Sequence, residues 1–285
     1  MTDLAGDYFI NQELVEEMVR LMEQAAIVTQ AMGGVFSEQT NPERFKRVLD
    51  LACGPGEWVM GMARTYPHME LVGVDKSKRM IDYASACAEA EDQSCHFRVM
   101  DVTQAPLDFP QSSFDLINAR FILGFMKRDQ WPLLLRECYR LLVPGGVIRV
   151  TEQESGVSNS PIYQRYIDLW GSAWRVAGHA FSHTPAYIGV TVVLKQLMRQ
   201  AGFVGPEHRP ILIDLSAGEP NHKAFMENLV EALTLASPWL LRLGVTTQES
   251  INEMADQMKH LIDQEEFAAY WLLNTLWALK PHTTI

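Results

Sequence analysis

The sequence predicts an α/β fold built on a parallel sheet, and three observations support this prediction. Between residues 47 and 152, short runs rich in apolar and β-branched residues alternate with amphipathic helical patterns. Turns that contain glycine or proline separate these runs. The chain has neither an internal repeat nor a low-complexity tract. Short strands that alternate with helices form parallel sheets whose faces the helices cover.

The expected elements follow in order along the first half of the chain. An amphipathic helix is predicted at 11–32, where Met32-Gly33-Gly34 ends it. Five strands follow, at 47–51, 71–75, 95–100, 114–119 and 147–151. Helices are predicted between them, at 57–64, 77–89 and 130–142. We expect Pro144-Gly145-Gly146 to separate the last of these helices from the fifth strand.

Beyond residue 155 the pattern is less regular. Helices are predicted at 162–176, 190–201, 222–243 and 248–265. A sixth strand is predicted at 211–215, and the segment 268–278 fits either a strand or a short buried helix. Because no linker divides the chain, we expect one Rossmann-like core with helical additions. Its parts would be an N-terminal helical lid at 1–45, a core at 46–154, and a remainder at 155–285 with insertions at 155–189 and 219–265.

The composition is that of a globular chain without targeting signals. The chain has 285 residues, of which 47% are hydrophobic, and its formal net charge is −11. That charge disfavours nucleic acid or an anionic membrane as the main partner. We find no signal peptide, and the longest apolar stretches are shorter than the roughly 20 residues that span a bilayer. The four cysteines show no CxxC spacing, which favours reduced thiols in the cytoplasm. A homodimer is compatible with the sequence.

A glycine turn after the first strand is the strongest local signal for a ligand site. The segment VLDLACGPGEW at 48–58 places Asp50 at the strand end and Gly54 and Gly56 in the turn, where a ligand can approach the backbone. A dinucleotide site would need a third glycine where Val59 stands, and a P-loop would need GK[ST]. Asp50 would repel a pyrophosphate and attract an ammonium group. S-adenosylmethionine (SAM) has an α-amino group and a sulfonium but no phosphate.

Two further acids stand at the ends of the next two strands. Asp75 is placed to accept the ribose hydroxyls, and Asp101 is placed to accept from an adenine amine. Met80 lies one turn into the following helix, where it could pack on the adenine. Taken singly, Asp75 could cap a helix at Ser77, and Asp101 could start a turn with Thr103. Three acids that end three successive strands around one glycine turn together predict SAM.

Residues 46–154 resemble the core of a class I SAM-dependent methyltransferase, of the small-molecule group related to ubiquinone/menaquinone-biosynthesis methyltransferases. The resemblance rests on four stretches: VLDLACGPGEW at 48–58, LVGVDKSKRMIDYA at 71–84, FRVMDVTQAPLDFPQSSFDLINARFIL at 97–123 and RECYRLLVPGGVIRVTE at 136–152. Ala52 stands where the family most often has the first glycine of the turn, and we expect alanine to permit binding. The resemblance implies a seven-stranded sheet with an antiparallel last strand, so it assigns 268–278 as a strand.

The resemblance also implies which residues hold SAM, whose product is S-adenosylhomocysteine (SAH). Asp50 and the 52–56 turn would hold the methionine moiety, Asp75 the ribose, and residues 100–102 the adenine. Arg120 would lie beside the methionine end. The expected cofactor-binding residues are Asp50, Ala52, Gly54, Gly56, Asp75, Lys76, Met80, Met100, Asp101, Val102, Asn118 and Ala119.

An acceptor site is expected outside the core, in the N-terminal helix and the two insertions. One helical face carries four aromatic residues, which indicates either core packing or the walls of an apolar pocket: Tyr163, Tyr166, Trp170 and Trp174. Tyr8 and Phe9 precede the first helix, where they could form a lid over the cofactor or a hydrophobic staple. The candidate substrate-binding residues are Tyr8, Arg120, Tyr163, Tyr166 and Trp174.

Two histidines and two glutamates remain as candidates for chemistry. His179 and His183 are candidate catalytic residues, as a base or as acceptor contacts. Their i,i+4 spacing also suits a metal, but the sequence offers no third ligand nearby, so no metal is expected. Glu152 and Glu154 follow the fifth strand, as solvated loop acids or as partners of a basic acceptor.

Methyl transfer from a sulfonium is an in-line displacement, in which an enzyme mainly aligns the acceptor with the methyl group and excludes water. Such a reaction needs no fixed catalytic motif, and a base is needed only if the acceptor must lose a proton. The sequence therefore predicts an enzyme that moves a methyl group from SAM to O, N or C of a small organic acceptor. Enzymes that methylate amino groups of nucleic-acid bases have a (D/N)PP(Y/F) motif after the fourth strand. This chain has INARFIL there, which argues against DNA or RNA as the acceptor. A SAM-binding protein without methyl transfer and a nucleotide-dependent oxidoreductase are the alternatives.

Overall fold

The computed structural model describes residues 8–282 and contains one seven-stranded sheet. Its strands are β1 (Arg47–Leu51), β2 (Glu70–Asp75), β3 (Cys95–Val99), β4 (Phe114–Arg120), β5 (Leu142–Ser158), β6 (Val204–Asp214) and β7 (Ala269–Leu279). The order across the sheet is β3-β2-β1-β4-β5-β7-β6. The first five strands pair in parallel, and β7 runs antiparallel to both β5 and β6. The predicted Rossmann-like fold with an antiparallel last strand is confirmed.

Helices cover both faces of this sheet, as parallel strands require. They are α1 (Val15–Ala31), α2 (Glu57–Thr65), α3 (Lys78–Ala90), α4 (Trp131–Leu141), α5 (Pro161–Val176), α6 (Val190–Gln200), α7 (His222–Leu235), α8 (Ser237–Arg242) and α9 (Gln248–Leu261). The side chains of Ser77, Ser160 and Thr247 each accept the backbone N–H three residues later and so start α3, α5 and α9. Among residues 8–282, no helix is long and apolar enough to cross a bilayer.

The fifth strand is longer than predicted at both ends. The expected break at residues 144–146 is wrong, because β5 begins at Leu142 directly after α4 and continues to Ser158. Pairing with β7 explains the later end, because it continues to Ser158 opposite Ala269, and at the earlier start Leu142 pairs with Phe114 of β4. Glu152 and Glu154 therefore lie within a strand, so the interpretation as solvated loop acids is also wrong.

Two other boundaries differ from the prediction. The sixth strand begins at Val204 instead of residue 211, because it too pairs along the length of β7. The helix expected at 222–243 is divided at Ala236 into α7 and α8. Pro238 stands in the first turn of α8, a position that suits proline because the first-turn N–H groups have no helical partner.

A chain of buried polar groups crosses one face of the sheet. Arg149 of β5 donates from Nε to Glu38 Oε1 at 2.6 Å and from Nη1 to Asn118 Oδ1 at 2.5 Å. Asn118 of β4 in turn donates from Nδ2 to Asp50 Oδ1 at 2.7 Å. Both members of the Arg149–Glu38 ion pair are buried. The segment before β1 is thereby linked to the carboxyl end of β1.

Glu152 is a second buried acid, on β5. Its Oε1 accepts the Leu123 backbone N–H at 3.2 Å, and its Oε2 has no hydrogen-bond partner within residues 8–282. Burial raises the pKa of this carboxyl to about 8, although the hydrogen bonds from the Leu123 and Ile122 N–H groups oppose the shift. Glu152 is therefore a neutral acid in the folded chain at pH 7.

Replacing Arg149 with leucine is expected to lower the free energy of unfolding by about 3–5 kcal/mol, because Glu38 would remain as a buried carboxylate without its partner. Urea denaturation measures this. Lys78→Leu is the matched control, since the Lys78–Asp82 pair is exposed and its loss should change stability by less than about 1 kcal/mol. Equal losses in the two variants would contradict the interpretation.

The melting temperature is expected to fall as the pH rises from about 5 to 8, partly because unfolding releases the proton that the buried Glu152 holds. In the unfolded chain this carboxyl has its ordinary pKa of 4.5, whereas the folded chain keeps the proton up to about pH 8. Between these values the folded state binds more protons, so its stabilisation is complete below pH 4.5 and is lost as the pH rises through 8. Glu152→Gln, which cannot ionise, should flatten this decline in calorimetric melting curves.

Glu137→Gln is the control for the titration of Glu152. Burial alone would raise the pKa of Glu137, but hydrogen bonds from Arg140 and Leu107 lower it. Its replacement should therefore leave the decline between pH 5 and 8 in place. The assignment to Glu152 fails if the Glu152→Gln chain declines as steeply as the unmodified chain.

Candidate functional site

The carboxyl ends of β1, β2 and β3 border two adjoining cavities, which we call the strand-end crevice. The larger has a volume of about 560 Å³ and is lined by residues that include Ala52, Asp75, Lys76, Met100, Asp101 and Val102. The smaller, of about 90 Å³, is lined by residues that include Asp50, Ala52, Gly54, Asp75 and Arg120. Ala52 and Asp75 border both cavities. The structure thus brings together the acids that the sequence singled out.

The turn after β1 is shaped so that a ligand can reach its backbone. Ala52, Gly54 and Gly56 all have positive φ angles, of 54°, 55° and 86°. A Cβ atom on Gly54 would meet nothing within 4 Å, whereas one on Gly56 would lie 2.9 Å from Ala84 and Phe97. Gly56 is therefore required for packing against α3 and β3, and Gly54 leaves its side of the turn open.

Asp75 holds the turn and the start of α3 together. Its Oδ2 accepts the Gly54 N–H at 2.9 Å and its Oδ1 accepts the Ser77 N–H at 2.8 Å. Burial raises its pKa, against these backbone hydrogen bonds. A third backbone hydrogen bond comes from Lys76, and the carboxylate keeps acceptor capacity for a further donor. Asp101 does form the turn considered from the sequence, since its Oδ1 accepts from Thr103 N and Oγ1 at 2.9 and 2.7 Å, and it also borders the larger cavity.

One end of the crevice holds two groups of opposite charge, the buried Asp50 and the half-buried Arg120. Burial raises the pKa of Asp50 to about 6, although Arg120 and Asn118 oppose the shift. Burial lowers the pKa of Arg120 to about 10, against the charge of Asp50. Arg120 makes one long hydrogen bond, to Thr29 Oγ1 at 3.4 Å. A carboxylate and a guanidinium that border one small cavity suit a ligand with both an ammonium and a carboxylate group.

Four of the expected cofactor residues do not border the crevice. They lie within the core or beneath the turn: Gly56, Met80, Asn118 and Ala119. Met80 is fully buried, so the structure does not place it where an adenine could stack. Asn118 is also fully buried and acts on the crevice through its hydrogen bond to Asp50.

A separate space of about 120 Å³, which we call the aromatic cavity, lies beside the smaller part of the crevice. Nine aromatic side chains line it: Tyr8, Phe9, Phe121, Tyr163, Tyr166, Trp170, Trp174, Phe225 and Trp271. The aromatic face of α5 thus lines this cavity, while Tyr163 and Trp174 are also part of the core. Both interpretations of this face, core packing and cavity wall, therefore apply. Burial raises the pKa of Tyr163 and Tyr166, so both hydroxyls stay protonated at neutral pH.

Protein partners already engage the two charged side chains that border the aromatic cavity. Arg20 forms two hydrogen bonds to the buried Glu17 carboxylate, at 2.6 and 2.7 Å, and a third to Asn228 Oδ1 at 3.2 Å. Glu154 accepts from four donors at 2.9–3.1 Å: the N–H groups of Ile188, Gly189 and Thr191 and the Thr191 hydroxyl. Glu154 therefore caps the first turn of α6 and is not available to a basic acceptor.

Tyr8 and Phe9 border both the aromatic cavity and the crevice, and their action as a lid stays a prediction. Tyr8 borders the aromatic cavity and both parts of the crevice, and its hydroxyl donates to Glu17 Oε1 at 3.1 Å. Phe9 packs edge-on against Trp174, with the ring centroids 5.1 Å apart. A Cβ atom on Gly124 would lie 2.7 Å from the Tyr8 ring and 3.0 Å from the Phe9 ring. Residues 1–7 of the expected lid lie outside the described residues.

The two candidate catalytic histidines do not border these spaces. His179 is buried, its Nδ1 lies 2.7 Å from the Leu123 carbonyl oxygen, and its ring stacks on Trp174 at 5.5 Å. His183 is exposed. The geometry therefore does not support either as a base. Among the described residues, no group of three potential ligands could hold a metal ion.

Sequence reasoning missed the polar end of the aromatic cavity. Glu17 and Arg20 stand three residues apart on α1, a spacing typical of a surface ion pair. Here both are buried, because Asn228 of α7 accepts from Arg20 Nη1 and donates to the Arg20 carbonyl at 2.8 Å. That partner lies 208 residues away, so no local pattern could have revealed it.

Comparisons with known proteins agree with this geometry. Residues 48–146 match the family described as a methyltransferase domain. The demethylmenaquinone methyltransferase of Deinococcus radiodurans is 30% identical over 171 residues, which cover 55% of this chain and 68% of that protein. The enzyme of the same name from Thermus thermophilus is 30% identical over 167 residues, 55% of this chain and 74% of that protein. Phosphoethanolamine N-methyltransferase 3 of Arabidopsis thaliana is 30% identical over 159 residues, 55% of this chain and 29% of that protein.

A solved structure shares the fold. Phosphoethanolamine N-methyltransferase 2 of Haemonchus contortus, in complex with phosphomonomethylethanolamine and SAH, superposes with a TM-score of 0.55 at 19% identity. The match covers 89% of this chain and 52% of that chain. The relatives and the fold together show that the chain belongs to the class I SAM-dependent methyltransferases, in the family that includes the demethylmenaquinone methyltransferases.

Proposed function

We propose that the strand-end crevice holds SAM and that the aromatic cavity holds a small organic acceptor, to which the enzyme transfers the methyl group. The observation that carries this proposal is the position of Tyr8 and Phe121. Both side chains border the aromatic cavity and the smaller part of the crevice. The two spaces therefore meet at these rings, where a methyl group could pass from one ligand to the other.

The residues of the crevice fit SAM in three respects. Asp50 and Arg120 would bind the ammonium and the carboxylate of its methionine moiety. Asp75 retains acceptor capacity for a ribose hydroxyl beside its three backbone hydrogen bonds. The open side of Gly54 lets the ligand lie against the backbone. Lys76 and residues 100–102 border the larger cavity, where the adenosine would lie.

When bound, SAM supplies a methyl group that its sulfonium has already activated. The contribution of the chain is to hold the acceptor in line with that methyl group and to exclude water. Tyr8 and Phe9 cover the junction, and the aromatic rings of α5 fix the acceptor from the other side. The buried tyrosines stay protonated, so they act as neutral hydrogen-bond donors.

We infer that the acceptor is uncharged and carries a ring. A charged acceptor would lose its hydration without finding a free counter-group, because Arg20 is ion-paired with Glu17 and the Glu154 carboxylate already accepts four hydrogen bonds. An aromatic lining also provides stacking partners for a planar molecule. A phosphate-bearing acceptor fits this cavity poorly. The net charge of −11 further supports a small-molecule acceptor over nucleic acid, and a cytoplasmic location is part of the same proposal.

Replacing Asp75 with alanine is expected to weaken SAH binding by about 1–3 kcal/mol, because the ribose hydroxyls would lose their acceptor. Isothermal titration calorimetry measures the affinity. Asp82→Ala, in the helix α3 that follows, is the control. Asp82 pairs with Lys78 at the surface, so its replacement should leave the SAH affinity unchanged. An unchanged affinity in Asp75→Ala would contradict the placement of the ribose.

Incubation with methyl-labelled SAM tests the acceptor class. We expect labelled product, SAH and one released proton per transfer with uncharged ring compounds such as naphthols and hydroquinones, and no labelled product with phosphoethanolamine. Trp170→Ala should raise the acceptor KM by about tenfold through lost stacking while SAH affinity stays the same. Tyr270→Ala, at an exposed position, is the control. Tight SAM binding without a labelled product from any acceptor would favour the alternative of a SAM-binding protein.

A further inference from the structure

The turn that follows β4 forms the wall between the two ligand spaces. Phe121 borders the aromatic cavity and the crevice, Gly124 contacts the rings of Tyr8 and Phe9, and Phe125 borders both parts of the crevice. This short segment, residues 121–125, therefore lies against Tyr8 and Phe9 and borders both proposed ligand spaces. Its position determines whether the acceptor meets the methyl group at the right place.

The backbone of this turn is strained at Phe121. Its φ angle is +56°, in the left-handed region that an aromatic residue rarely adopts. Such a conformation persists only where the surrounding contacts over-determine it. Two of these contacts are clear: the Phe121 N–H donates to the Thr151 carbonyl at 3.0 Å, and its ring stacks on Trp271 at 5.7 Å with an interplanar angle of 11°.

Two buried side chains hold the next part of the turn from opposite sides. The Leu123 N–H donates to Glu152 Oε1 at 3.2 Å, and the Leu123 carbonyl oxygen lies 2.7 Å from His179 Nδ1. A carbonyl oxygen can only accept, so Nδ1 carries the proton in this bond. Both polar backbone groups of Leu123 are thus bound by side chains, and the His179 ring also stacks on Trp174, a wall of the aromatic cavity.

We propose that Glu152 and His179 are positioning residues for methyl transfer: together they clamp Leu123 and so hold Phe121 and Gly124 at the junction of the two ligand spaces. The proposal rests on the function proposed above. Neither side chain borders the ligand spaces, so each acts through the turn. Glutamine at position 152 can still accept the Leu123 N–H, whereas leucine cannot. The clamp therefore predicts that Glu152→Gln behaves like the unmodified chain and that Glu152→Leu does not.

Amide hydrogen exchange of the peptide 119–126 tests the clamp directly. We expect exchange to be about tenfold faster in Glu152→Leu and in His179→Phe, which keeps a ring but loses the donor, because each loses one bond to Leu123. Exchange in Glu152→Gln should match the unmodified chain. His179→Phe and Glu152→Gln keep the test decisive if Glu152→Leu does not fold.

Ligand binding distinguishes a positioning role from a general loss of stability. We would titrate the SAH complex with 1-naphthol as an uncharged ring probe and follow the tryptophan fluorescence. In Glu152→Leu and His179→Phe the 1-naphthol affinity should fall by about tenfold, while SAH affinity changes by less than about threefold. Glu137→Leu is the matched control, because Glu137 is a buried acid that accepts the Leu107 N–H at 2.8 Å away from both spaces.

Several results would overturn the proposal. These are unchanged exchange of the turn in Glu152→Leu and His179→Phe, unchanged 1-naphthol affinity in both, and an equal loss of that affinity in Glu137→Leu. If 1-naphthol fails to bind even the unmodified chain, the acceptor cavity proposed above is wrong, and the exchange rates alone decide whether the clamp exists.

Discussion

The crevice depends on keeping a carboxylate at the buried end of β1. Asp50 would be costly there by itself, since an isolated buried charge loses its hydration. Asn118 donates a hydrogen bond to one oxygen of Asp50. Arg149 donates to Asn118 and is itself paired with Glu38. Arg120, on β4 like Asn118, supplies a second positive charge near Asp50. The acid that would recognise an ammonium group is thus stabilised by residues on β4 and β5, and the sheet order determines their proximity.

Local patterns predicted the core well because its determinants are local. The alternation of strands and helices, the glycines of the turn after β1 and the acids that end β1, β2 and β3 are all visible within windows of about ten residues. Prediction was weaker where the partner is distant in sequence. β5 and β6 are longer than expected because β7 pairs with both. Met80 was misjudged because a helix periodicity does not tell whether an apolar side chain faces a ligand or the core.

The candidate acceptor site was predicted only in part, and the reason is similar. The aromatic face of α5 was visible from the spacing of its residues, but its role depends on helices α1 and α7, which complete the cavity. The His179–His183 spacing suggested chemistry, yet His179 binds a backbone carbonyl and His183 is exposed. Conversely, Glu17 and Arg20, whose spacing is typical of a surface ion pair, are buried. The role of a charged or aromatic side chain can therefore be assigned only when its tertiary contacts are known.

The position of Tyr8 and Phe9 has a consequence for the proposed reaction. Tyr8 borders every space that the two ligands would occupy, and Phe9 borders two of them. If SAM and the acceptor bind there as proposed, one displacement of these two adjacent residues would open both binding spaces, and release of SAH and of the methylated product would then be coupled.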